Sequence, residues 1–246
     1  MTKSEVFSDV YPFTTENIDG YIEKMDLKEK KVLTVGSSGD QALNAILEGA
    51  NDITIFDINE DTEKFFKIKK DIILNSELED IYLKIIKNDK IPNLTKDFFA
   101  FSTLKRMNNY MKSKENFEKL KEKLAKVNPK FIVGDIFDFS SAVNETYDRI
   151  LLSNIFQYLD YYAYLNGYEG KEAEFALKHF KSWIEYLNDG GILQLHYIYG
   201  TTFTKNLVES LKLIISEYNI RYYEFLNEQN TYGNTLKKDS ILYTIK

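Results

Sequence analysis

Cysteine is absent from the 246 residues, which excludes disulfides, thiolate metal ligands and a cysteine nucleophile. Histidine is nearly absent: His179 and His196 are the only two, too few for a histidine-rich metal site, and no metal is expected. No apolar run approaches the roughly 18 residues that a spanning helix needs. The start, Met1-Thr2-Lys3-Ser4-Glu5, lacks the apolar core of a secretory leader. Positive charge is in deficit, with 32 Lys and Arg against 38 Asp and Glu, a net charge of −6 and a pI near 5.2. Such a balance offers no general attraction to nucleic acid or to an anionic membrane. No basic amphipathic helix provides a device for stable membrane association. The expected location is cytoplasmic. No internal repeat or low-complexity tract divides the chain.

What is present is a large apolar fraction, 43% with 15% aromatic, enough for one large core or a core with an appended lobe. The chain is organised around residues 32–59. Val32-Leu33-Thr34-Val35 reads as a short buried strand, because β-branched and apolar residues bounded by glycine suit a sheet covered on both faces. Gly36-Ser37-Ser38-Gly39 reads as a tight turn in which the backbone can approach a ligand. Ala42, Leu43, Ala45, Ile46 and Leu47 then recur at helical spacing. Asp57 closes a second strand, Ile53–Asp57, 21 residues after Gly36, where an acid can accept hydrogen bonds from both hydroxyls of a ribose.

This turn departs from a dinucleotide fingerprint, since Ser38 stands at the second glycine position, the third glycine is missing and Ala42 stands at the close-packing position. Asp40 near the helix start is expected to repel a pyrophosphate and to attract an amino group instead. S-adenosylmethionine, which has no phosphate and carries an α-amino group, suits that pattern. A nicotinamide-dependent oxidoreductase is the rival reading that the missing glycines disfavour.

The runs Leu33–Leu43, Asp57-Ile58-Asn59 and Leu152-Ser153-Asn154-Ile155-Phe156 resemble class I S-adenosylmethionine-dependent transferases. Within them the likeness is closest to the group containing the betaine-lipid enzyme that transfers a 3-amino-3-carboxypropyl group. It spans residues 11–75 and 131–200. The resemblance implies cofactor contacts at Gly36, Ser37, Ser38, Gly39, Asp57, Ile58, Asp135, Ile136, Ser153 and Asn154, with Asp135 facing the adenine amino group and Ile136 packing on the ring. It also implies a leader folded over the cofactor, bringing Tyr11, Phe13 and Thr14 to the methionine end; a helix covering the sheet edge is the plainer alternative for residues 4–31. Amine methyltransferases of this fold often carry two prolines after the Asn or Asp that follows the fourth strand. Ser153-Asn154-Ile155-Phe156 has neither, which weakens an amine acceptor.

Further along, Thr14-Thr15-Glu16-Asn17 resembles a helix start. Asp61–Leu74 is a helix with Phe65, Phe66, Ile68, Ile72 and Ile73 on its apolar face. The next strand begins only at Phe131, and so long a gap implies an inserted helical element over about 76–127, either a lid or acceptor pocket or a surface embellishment. Tyr147–Asn154 is the fourth strand, whose carboxyl end is expected at the ligand crevice. Phe156, Tyr158, Tyr161, Tyr162, Tyr164 and Tyr168 form either an aromatic acceptor pocket or amphipathic packing. Lys171–Leu187 is a helix with Trp183 in the core, ended by Asp189-Gly190-Gly191. Ile192–His196 is a strand that puts His196 near its carboxyl end, as a general base or a structural histidine. A helix over Thr204–Tyr218 and strands Ile220–Leu226 and Ser240–Ile245 complete the chain.

The expected fold is α/β, a doubly wound, Rossmann-like sheet of seven strands with an antiparallel terminal strand, in one domain over residues 1–246. The closing antiparallel pair is the habit of the methyltransferase sheet. The expected function is group transfer, methyl by preference, from S-adenosylmethionine to a soluble small-molecule acceptor. Aminocarboxypropyl transfer and non-catalytic cofactor binding are the alternatives. No catalytic dyad is evident; Asn154, Tyr158 and His196 are the candidates. No particular oligomeric state is implied.

Overall fold

The computed structural model describes residues 10–91, 94–95, 99–199, 209, 211–213, 215–228 and 238–246. The chain divides into two compact units, with the boundary between Ile136 and Phe137.

The first unit holds β1 (Lys31–Val35), α1 (Asp40–Leu47), β2 (Asp52–Asp57), α2 (Asp61–Leu74), α3 (Leu78–Ile86), α4 (Phe101–Met107), α5 (Lys114–Leu124) and β3 (Lys130–Val133). β2 pairs in parallel with β1 on one side and with β3 on the other. Val32, Leu33 and Thr34 are fully buried, as a strand covered on both faces requires. Every residue of α1 is buried, including Asp40, Gln41 and Asn44. A helix can be buried all round only if its polar side chains find partners. Gln41 accepts from the Thr34 hydroxyl at 2.5 Å and donates to the Tyr21 hydroxyl at 2.9 Å. Asn44 donates to Asn108 at 2.9 Å and accepts from the Tyr110 amide at 3.4 Å.

Thr34 belongs to β1; the other partners come from the leader and from the segment between β2 and β3. α3, α4 and α5 fall within the span expected to be helical. Ile81, Ile85, Leu104, Met107, Phe117, Leu120 and Leu124 are fully buried, and α5 packs on both α1 and α2. This segment is therefore part of the unit's core and not a surface embellishment. Two local expectations are corrected. The leader has no helix at Thr14: the Thr14 hydroxyl accepts from the Glu16 amide in a turn, and a 3-10 turn forms only at Ile22–Met25. On α2 Lys69 joins Phe65, Phe66, Ile72 and Ile73 in the buried stripe, while Ile68 is half-exposed.

The second unit holds a single turn α6 (Phe139–Ala142), β4 (Tyr147–Leu151), α7 (Leu159–Leu165), α8 (Glu172–Glu185), β5 (Leu187–Ile198), β6 (Arg221–Leu226) and β7 (Lys238–Ile245). β4 and β5 are parallel, whereas β7 runs antiparallel to both β5 and β6. Trp183 and Phe180 of α8 are fully buried, with Phe137 and Phe175 beside them. Gly190 does not cap α8, which ends at Glu185. Its φ of +73° lies inside β5, where the register against β4 shifts. Gly190 donates to the Lys246 carbonyl and Gly191 accepts from the Lys246 amide, so the kinked strand end is tied to the chain terminus. The tyrosine-rich stretch is split: Tyr162 is buried against Phe137, Tyr168 lies against Phe175, and Tyr158 and Tyr164 are exposed. That is amphipathic packing and not a single aromatic pocket. Of the helix expected over 204–218, residues 204–208, 210 and 214 lie outside the described residues; 209 and 211–213 are helical and 215–218 are not.

The described strands form one seven-stranded sheet of order β3-β2-β1-β4-β5-β7-β6, an α/β fold with an antiparallel terminal pair. Among the described residues no helix is long and apolar enough to cross a membrane, and no cluster of His, Asp or Glu is arranged to hold a metal.

Candidate functional site

The first unit brings three strand ends together. The Gly36 amide donates to the Phe56 carbonyl at 2.9 Å, and the Gly134 amide donates to the Asp57 carbonyl at 2.9 Å. The glycine turn, Asp57-Ile58 and Gly134-Asp135-Ile136 therefore stand side by side. Asp57 is the focus. Its Oδ2 accepts from the Ser37 amide at 2.7 Å and its Oδ1 from the Asn59 amide at 2.9 Å. Burial raises the Asp57 pKa, against the lowering effect of the Asn59 and Ser37 amides, the Thr62 hydroxyl and the Ile58 amide. The direction carries information: those donors do not fully replace the lost water, so further donors at this carboxylate would be favourable.

The glycines have an internal explanation. A Cβ on Gly36 would lie 2.4 Å from the Thr62 Cγ2 and 2.6 Å from the Asp57 Oδ2. Gly39 adopts φ +75°, and a Cβ there would lie 2.8 Å from the Phe66 ring. The chain's own packing therefore already requires both glycines. Ser37 takes φ +40° and is exposed, whereas Ser38 is turned inward, its hydroxyl accepting from the Asp40 amide at 3.3 Å.

Asp40 also departs from expectation. It is fully buried, its Oδ1 2.5 Å from the Lys69 ammonium and 2.7 Å from the Tyr110 hydroxyl, while its Oδ2 accepts from the Thr14 amide at 2.6 Å. A carboxylate so occupied neither repels a pyrophosphate nor attracts an amino group. Burial lowers the Lys69 pKa, with Asp40 opposing, and burial together with Asp40 raises that of Tyr110 well above its usual value. Phe13 is not presented to a ligand either: it is buried, stacked on Tyr82, with the Lys69 ammonium 4.7 Å from its ring centroid. Tyr11 alone of the three leader residues is exposed. Ile136 is buried, and Ile58 and Asp135 are half-buried.

In the second unit the residues after β4 are held by a side chain that the sequence reading missed. Ser153 has φ +55°; its amide donates to Gln194 Oε1 at 2.9 Å and its carbonyl accepts from Gln194 Nε2 at 3.3 Å. Asn154 donates to Gln157 at 3.2 Å, and Tyr158 is exposed. His196 is buried two residues short of the end of β5, at a bulge against β7, with its ring 6.0 Å from that of Phe156. It is thus near the carboxyl end of the strand, as expected, and buried there. Its Nδ1 has no hydrogen-bond partner among the described residues, and desolvation lowers its pKa to about 4. It is a neutral, weakly basic imidazole at physiological pH.

Thr62, Lys69, Tyr110 and Gln194 were not singled out from sequence. Lys69 did carry a signal: it falls on the stripe Phe65, Phe66, Ile72, Ile73, where a solvated lysine has no place. Tyr110 and Gln194 carried none, since each becomes informative only beside its partner.

Fold and site define an α/β protein with a strand-end acid closed onto a glycine turn. No family model and no curated protein matches the chain. Among solved structures it is similar to a methyltransferase from Pyrococcus furiosus (TM-score 0.45, 15% identity, covering 92% of this chain and 79% of that one). It is also similar to the N-methyltransferase NodS from Bradyrhizobium japonicum WM9 (TM-score 0.44, 10% identity, 92% of each chain). A third likeness is to magnesium protoporphyrin IX methyltransferase from Synechocystis PCC 6803 with bound SAH (TM-score 0.42, 12% identity, 92% of this chain and 77% of that one).

Proposed function

We propose that the chain binds S-adenosylmethionine at the strand ends of the first unit and transfers its methyl group to a small-molecule acceptor. The observation that carries this reading is Asp57: an under-solvated carboxylate, aimed by two backbone amides, that a pair of ribose hydroxyls would complete. Asp135 and Ile136, aligned with it by the β2–β3 ladder, suit the amino edge and the face of an adenine. The antiparallel end of the sheet supports the same reading, since dinucleotide-binding dehydrogenase sheets usually end in parallel strands. The cofactor's sulfonium supplies an activated carbon, so the chain's residues need only bind, orient and exclude water.

Titration calorimetry with S-adenosylmethionine, S-adenosylhomocysteine and NAD tests the proposal. Tighter binding of either S-adenosyl compound is expected; tighter binding of NAD overturns it. The likeness at Leu152–Phe156 to the aminocarboxypropyl transferases, together with the absence of both prolines after Asn154, supports a second reading in which the other sulfonium substituent moves.

A further inference from the structure

Lys69 is fully buried, and each of its three ammonium protons has an acceptor on a different part of the chain. One goes to the Pro12 carbonyl of the leader at 2.9 Å, one to the Ser38 carbonyl of the glycine turn at 2.9 Å, and one to Asp40 Oδ1 at 2.5 Å at the start of α1. The rings of Phe13 and Phe65 lie 4.7 and 5.7 Å away and keep water out. Asp40 in turn holds the Thr14 amide and the Tyr110 hydroxyl. The ligand-side edge of the turn, Ser37 with Asp57, is thus one residue from a carbonyl that Lys69 ties to the leader. We infer that Lys69 is a positioning residue that couples the leader, residues 10–19, to the ligand-binding turn at Gly36–Gly39. This rests on the proposed site.

A purely structural role makes a different prediction. Replacing a buried ion pair by uncharged residues of similar volume is often neutral or stabilising, so stability alone would give no reason for affinity to change. Coupling is reciprocal: if the leader holds the turn in its binding geometry, a ligand on the turn must steady the leader by the same factor.

The experiment is amide hydrogen exchange on the full chain with and without S-adenosylhomocysteine, in the wild type and in Lys69→Met/Asp40→Asn, which removes both charges together. In the wild type the ligand should slow exchange about tenfold at Ile18 and Asp19, residues remote from Asp57 in sequence and hydrogen-bonded within the leader and to Met107. In the folded double variant the ligand should bind about tenfold more weakly and give no protection at Ile18 and Asp19. Equal affinity and equal protection in the two proteins overturn the inference, as does a wild-type leader indifferent to bound ligand. If the double variant does not fold, the wild-type leader alone decides. If the wild type does not bind the ligand, the proposed function fails. Exchange at Ser37 and Gly39 in ligand-free protein then decides the coupling: about tenfold faster in the double variant supports it, unchanged rates overturn it.

Discussion

Asp57 is half-buried and His196 almost wholly buried, and each makes a different measurable demand. Losing charge-assisted hydrogen bonds to two ribose hydroxyls should cost about 2–4 kcal/mol of cofactor affinity in Asp57→Ala. Asp135→Ala should cost less, because the adenine keeps its apolar packing. Calorimetry on folded samples checks both, and wild-type affinity in Asp57→Ala would remove Asp57 from the site. For His196 the folded pKa of about 4 lies below the ordinary 6.5. The unfolded chain therefore binds the proton first as pH falls. The stability from keeping this imidazole neutral is fully present above pH 6.5 and is lost progressively between pH 6.5 and pH 4. The loss amounts to about 3 kcal/mol, from some 2.5 units at 1.36 kcal/mol each. Unfolding free energies from urea titrations at pH 7.5 and 4.5 should differ by about 2.5 kcal/mol less in His196→Phe than in the wild type.

At the scale of elements, the segment between β2 and β3 and the turn before α1 do opposite kinds of work. α5 covers two sides of the site's scaffold, so Leu120→Ala should behave as a core truncation and cost about 2–5 kcal/mol. A peripheral lid would lose far less, and chemical denaturation distinguishes the two. The turn is over-packed against its own strand end. Gly36→Ala should force Thr62 or Asp57 to move, at about 1–3 kcal/mol of stability, and should weaken cofactor binding because Asp57 is the side chain displaced. Thr62→Ala in the same chain should recover part of the stability without restoring affinity. Recovery of both would mean that Asp57 had not moved.

For the whole molecule the open choice is which carbon leaves the sulfonium. Methyl transfer leaves S-adenosylhomocysteine, whereas aminocarboxypropyl transfer leaves methylthioadenosine. The acidic surface, with net charge −6, favours a small soluble acceptor over a lipid headgroup sheet or a nucleic acid. Chromatography of the nucleoside product after incubation with fractionated extract is expected to show S-adenosylhomocysteine. Methylthioadenosine would reverse the assignment, and neither product in any fraction would favour a protein that binds the cofactor without turnover.

Most strand and helix positions, the acid at the end of β2 and the antiparallel close of the sheet were legible in the sequence, because each is announced locally: by residue period, by glycine, by a run of β-branched side chains; the helix start at Thr14 and the beginning of β5 were not. Trp183 and the extent of α2 followed from the same 3.6-residue spacing. What only tertiary structure decided is the meaning of the polar residues. Asp40 reads as a solvated acid beside a helix start until Lys69, 29 positions on, and Tyr110, 70 positions on, are folded onto it. Gly36 reads only as a turn glycine until Thr62 and Asp57 are folded against the place a Cβ would take. His196 reads as a base at a strand end until β5 continues past it and removes it from water. A hydrophobic pattern repeats along the chain and declares its own burial. A polar side chain takes its role from whichever distant group completes its hydrogen bonds, and only the fold supplies that group.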